Sequence, residues 1–235
     1  MNLTLLIKVV EVLVTKVIYY KQWSGMDEYL TDLIARMSDT SGRNTEAGFD
    51  SSKTISWNAL REAEKVANVT FVPQIISFIG GEKDKKKRDE AYFLLGHIAK
   101  NTDNEEALNY LIARVNSETD KYIISALLDR IADIDKPIGT DLQPLIQAIK
   151  SDRWLIRHSA IQSLNNSDDA LAETVLIEII ENSADPHDLI YANATLNSVG
   201  TLRAIPYLEK HLKSRKRDVK GSAQYAIEEI LKRHG

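Results

Sequence analysis

From residue 26 onward the chain alternates between stretches whose apolar residues recur at steps of three and four and short breaks that are polar or carry Pro or Gly. That rhythm predicts amphipathic helices joined by tight turns, and the helices come in pairs. Three first helices carry proline in the opening turn, at Pro73, Pro144 and Pro206, where the missing amide would have no intrahelical partner. Each is followed by a second helix with a basic residue three before an alanine: Arg88 and Ala91, Arg157 and Ala160, Lys220 and Ala223. The marked prolines lie 71 and 62 residues apart, room for one unmarked pair in each gap, and 104–117 with 120–133 and 171–182 with 187–199 supply them. With 26–37 and 54–67 at the start there are about six pairs.

A single pair cannot bury its own apolar face, so the units must stack. Small residues in the second helices (Ala91, Gly96, Ala126, Ala160, Ala192, Ala223) then mark where neighbouring helices approach closely. The expected fold is an all-α, right-handed α-solenoid of about six helical hairpins, read as a single domain over 1–235. Its parts are a cap helix in 1–24, repeats in 25–200 and a C-terminal capping repeat in 201–235. The apolar start resembles a membrane span, but Thr4, Lys8, Glu11, Thr15 and Gln22 draw one polar stripe along a helix. Lys8, Glu11 and Lys16 would each cost roughly 2.5–3.5 kcal/mol at a bilayer centre. The segment is therefore expected to seal the end of the stack, with dimerisation as the alternative. Residues 38–53 form the longest polar interruption, a mobile or binding loop.

Composition agrees: 10 Gly and 5 Pro in 235 residues favour helix, and the absence of Cys excludes disulfides, thiolate metal sites and cysteine nucleophiles. It also fits a reducing, cytoplasmic setting. The net charge of −4 is unevenly spread: residues 101–202 hold 17 acidic and 7 basic side chains, residues 203–235 hold 4 and 9. An acidic centre repels phosphate backbones and attracts basic surfaces. Walker, GxGxxG, GxSxG and HExxH patterns are all missing, and the five histidines stand singly, so no catalytic residue, metal or cofactor is assigned.

The run 152–164, DRWLIRHSAIQSL, and 218–223, DVKGSA, resemble HEAT repeats, particularly the short HEAT-like or bilin-lyase-like variety. The resemblance covers roughly 70–233 well and 26–68 poorly; the Trp, Gly and Tyr spacing of tetratricopeptide repeats is absent. It implies second helices on the concave side and a structural ladder made by Asp152, Arg157, Asp218 and Lys220. It further implies a non-catalytic scaffold that binds a protein partner, with Trp154 the sharpest contact beside Arg153, His158, Asp129 and Asp133, and with Asp188 and Tyr191 on the next unit. The acidic face suits a basic partner, and small bacterial proteins of such repeats include immunity proteins that neutralise toxins. The alternatives are a DNA-binding or alkylpurine DNA glycosylase-like protein, whose WWDxxD-like run is missing, and a bilin lyase-like protein. The basic runs Lys83–Arg88 and Lys213–Arg217 are the segments that could touch phosphate.

Overall fold

The computed structural model describes residues 26–41 and 50–235; the expected cap helix and the middle of the polar loop lie outside them. Twelve α-helices follow one another there, with no strand beyond a single bridge between Lys136 and Ser167. They form six hairpins: α1 (Glu28–Met37) with α2 (Ile55–Ala63), α3 (Val72–Gly81) with α4 (Lys85–Thr102), and α5 (Glu105–Val115) with α6 (Lys121–Ala132). The other three are α7 (Gln143–Ile149) with α8 (Trp154–Gln162), α9 (Ala170–Asn182) with α10 (Pro186–Val199), and α11 (Ile205–His211) with α12 (Arg217–His234).

Local chemistry sets the starts. Pro73, Pro144 and Pro206 occupy the opening turns of α3, α7 and α11. Asp84, Asp120 and Asp185 cap α4, α6 and α10 by accepting backbone N–H bonds, satisfying amides that have no carbonyl four residues back. In α1 the buried residues Leu30, Leu33, Ile34 and Met37 repeat at helical spacing and join one hydrophobic core that runs through every hairpin.

Each hairpin packs substantially only on its sequence neighbours, as in a one-dimensional stack, so the fold is an α-solenoid. Second helices approach one another more closely than first helices do, which bends the stack toward them and makes their free surface the concave side. Ala91, Ala160, Ala192 and Ala223 are fully buried in this layer, and Gly96 faces the Arg130 stem, which a Cβ there would meet in ordinary contact at 3.5 Å. Ala126 instead sits half-buried on the open face.

Two long edges result. Turns within hairpins lie along one edge and connections between hairpins along the other. The second edge is knitted by Lys136, whose amide donates to the Asn166 carbonyl at 2.7 Å and whose carbonyl accepts from Asp168 at 2.9 Å.

Candidate functional site

Stacking the second helices side by side sets their exposed positions in rows across the concave face. One row is aromatic. Tyr122 stands in the first turn of α6 and Trp154 opens α8; they are 65% and 64% exposed and line a shallow groove of about 460 Å³ with Lys121, Arg153 and Leu155. The Trp154 ring lies 5.9 Å from that of His158, which stacks on Tyr191 of α10 at 4.6 Å and 24°. Of these rings Tyr122 and Trp154 stand in solvent, while His158 is buried and Tyr191 half-buried behind them; each of the two exposed rings keeps apolar area in water that packing would remove.

Behind the rings is a fixed polar cluster. Arg157 Nε donates to Asp188 Oδ1 at 2.8 Å, and its Nη2 donates to Asp185 Oδ2 at 2.9 Å, tying α8 to the start of α10. His158 Nε2 lies 3.1 Å from Asp188 Oδ1, and Ser183 donates to Asp188 Oδ2 at 2.9 Å. Burial holds the His158 imidazole below its ordinary pKa, so the neutral ring donates to Asp188 and offers its face to Tyr191. Asp185 is held below the usual carboxylate range by the His187 amide and by Arg157. His158, Asp185 and Asp188 stand close enough to share one cation, with ligand atoms within 4.8 Å of one another, but the Arg157 guanidinium already takes that charge position. An ion would have to displace it.

The same link recurs two hairpins earlier: Arg88 makes a two-pronged pair with Glu118, at 3.0 and 3.1 Å, and Lys85 reaches Asp120 at 3.0 Å. Burial works to raise the Glu118 pKa, but Arg88 and the Thr119 amide outweigh it and keep the carboxylate ionised. Arg157 is thus an inter-repeat tie, made to Asp185 and Asp188. Asp152, Asp218 and Lys220 are exposed and take no part in such a tie among the described residues. The Lys83–Arg88 run is largely absorbed into inter-repeat contacts, Lys86 also donating to the Ser38 carbonyl. Lys213–Arg217 is mostly exposed.

Asp129 on α6 and Asp133 at its C-terminal cap both face solvent. Asp133 pairs with Lys100 at 3.3 Å. Asp129 is crowded by the neighbouring helix, and desolvation raises its pKa against the opposing pull of the Ser159 hydroxyl and Arg130. Arg153 is exposed and unpaired among the described residues; Asp188 is buried within the cluster, and Tyr191 is half-buried under His158.

The two edges differ in charge. Many acids of the chain's middle collect on the edge between hairpins, where Asp103, Glu105, Asp135 and Asp168 surround a pocket of about 260 Å³ floored by Leu108 and Ile134. The edge within hairpins carries both signs: the Lys83–Arg88 run, Lys121, Arg153 and the Lys213–Arg217 run beside Asp84, Glu118, Asp120, Asp152 and Asp185. The concave face between them is chiefly aromatic, with Asp129 and Asp133 toward its acidic side.

The partners Lys121 and Tyr122 of Trp154 escape a reading of each helix alone. Aligning the openings of α6 and α8 would place them beside Trp154. Asp185 and Glu118 belong to turns, where spacing carries no periodic signal.

Residues 142–228 match the family model for HEAT repeats. Among solved structures the chain is similar to a designed armadillo repeat protein at 15% identity, covering 86% of this chain and 99% of that one, with a TM-score of 0.47. A second designed armadillo repeat protein, in complex with the peptide (KR)4, is 15% identical over 87% of this chain and 100% of that one, with a TM-score of 0.48. No curated protein matches the chain. The pattern recognised over residues 142–228, from α7 into α12, is that of HEAT repeats, and the hairpin stack with its alanine-lined second helices carries the same α-solenoid layout through the described residues.

Proposed function

We propose that the protein is a non-catalytic scaffold that binds a protein segment across the concave face formed by its second helices. The observation that carries this reading is the aromatic row of Tyr122, Trp154, His158 and Tyr191, with an indole and a phenol each about two-thirds exposed on a rigid, cross-tied platform. Tyr and Trp give large contact area for little side-chain entropy, and they dominate binding energy where they sit at the centre of an interface. The Arg157 ties hold the platform without a partner, so ordering it costs little on association.

A finer version follows from the acids. Asp129 and Asp133 lie one turn apart beside this row, and residues 101–202 carry 17 acidic against 7 basic side chains, which favours a partner with basic groups at that side. A basic toxin domain, neutralised by this chain as an immunity protein, is a partner of that kind.

The test is capture of the cognate partner by the native protein and by variants, with affinity measured on the purified pair. Trp154→Ala is expected to weaken binding by about 2 kcal/mol or more, roughly thirtyfold. Asp129→Lys with Asp133→Lys is expected to weaken it further at low salt than at high salt. Full affinity in the Trp154→Ala variant would defeat the scaffold reading; full affinity in the charge-reversal pair would defeat only the basic-partner version.

A further inference from the structure

Resting on the interaction face proposed above, the geometry points to a specific feature of the bound segment: an acidic residue flanked by an aromatic or aliphatic one, seated in the groove between the first turns of α6 and α8.

Four observations meet there. Lys121 and Arg153 form no ion pair among the described residues, although they sit in the part of the chain where acids outnumber bases by 17 to 7. Arg130 and Arg157 spend their charge inside the stack, on Asp89 at 2.6 Å and on Asp185 and Asp188, whereas Lys121 and Arg153 keep theirs at the surface of the groove. The nearest carboxylates do not neutralise the groove, since Asp120 is engaged by Lys85 and the α6 amides and Asp152 points no bond toward it. Next, Tyr122 and Trp154 flank the cations with exposed ring faces, and Lys121 Nζ lies 4.8 Å from the Tyr122 ring centroid. Third, α8 opens without a side-chain cap, whereas α4, α6 and α10 are each closed by an aspartate. The free amides of its first turn therefore add positive potential at the same mouth. Finally, the groove is open and about 460 Å³, the size of a short stretch of side chains.

Carboxylate between two cations, with a hydrophobic neighbour on the indole, satisfies all four. A nucleic-acid strand satisfies the cations and rings but would have to carry further phosphates over Asp129 and Asp133. The favoured occupant of the groove is an acidic stretch of the bound protein segment, whose basic groups can lie two turns farther down α6, at Asp129.

The experiment is an NMR titration of the isotopically labelled full chain with three probes. They are a nonapeptide alternating Glu with Trp and Leu, the same peptide with Lys for every Glu, and a short DNA duplex. The Glu peptide is expected to shift the Trp154 indole N–H and the Tyr122 and Leu155 amides. Lys121→Glu with Arg153→Glu should raise its Kd at least tenfold while leaving the spectrum of the free protein dispersed, since both side chains are exposed. The inference is overturned by silence of the Trp154 indole at millimolar Glu peptide, by equal binding to the charge-reversed variant, or by preference of the groove for the duplex. If the Lys peptide shifts Ala126, Asp129 and Tyr191 while the Glu peptide leaves Trp154 unmoved, this inference falls and the scaffold reading stands. Shifts from both peptides confined to first helices would defeat the scaffold reading itself.

Discussion

Arg88 and Glu118 illustrate how single side chains hold the stack. The Glu118 carboxylate is 2% exposed and satisfied by a two-pronged guanidinium and the Thr119 amide. Such a pair adds little beyond a hydrophobic isostere, but removing one member strands a buried charge. Arg88→Met is therefore expected to destabilise the fold by about 3 kcal/mol, and adding Glu118→Leu should recover most of the loss, both read from urea midpoints. Equal stability of the single and double variants would contradict this account. Of these contacts, Arg157 was legible from its place three before an alanine; its partners were not. The sequence points to Asp152 and Asp218, whereas the acids that pair, Glu118, Asp185 and Asp188, come from the start of the following second helix, a relation that only stacking creates.

Helix ends carry the next level of specification. α6 stops where the fully buried Lys136 turns its ammonium back onto the carbonyls of Ile131 and Ile134, at 2.7 and 2.6 Å, while Asn166 donates to that of Ala132 at 3.1 Å. These bonds supply donors to carbonyls of the helix terminus, where the Ile131 carbonyl also accepts from the Ile134 amide at 3.2 Å. Burial pushes the Lys136 pKa down from 10.5 to about 7, with Asp135 and Asp133 opposing. Below about pH 7 the residue is charged in both folded and unfolded chains, and above 10.5 it is neutral in both. Between these values the unfolded chain binds more protons, so stability rises with pH, by on the order of 5 kcal/mol over the whole shift. Urea unfolding at pH 7 and pH 9.5 should reveal this rise in the native protein and its loss in Lys136→Met. A flat profile in the native chain would show the ammonium to be fully supported by its carbonyls. Proline-marked helix starts, paired elements and their approximate bounds were all readable in the apolar rhythm, because period and capping are local properties. A lysine used as a helix-end plug was not, since nothing in its neighbours distinguishes it from a solvated one.

The molecule as a whole is a curved stack with an edge of mixed charge, an acidic edge and a concave face between them that carries Tyr122 and Trp154. The sequence expectation of an acidic centre holds as arithmetic, but many of those acids line the connections between hairpins, and several of the second-helix acids are engaged by Arg130, Lys100 and Arg157. Charge along a chain folds into faces only after the register of the hairpins is known, which explains why Arg153 and His158, on the same helix, could be placed beside Trp154 from sequence while Lys121 and Tyr122 on the neighbouring helix could not. The measurement that tests the concave face most directly is site-specific photocrosslinking in cells of the source organism. The photoreactive phenylalanine analogue would be placed at Trp154 and, separately, at Glu178 on the outer helix α9. The account expects a discrete protein adduct from position 154 and none from position 178. Adducts from position 178 alone, or equally from both, would contradict it.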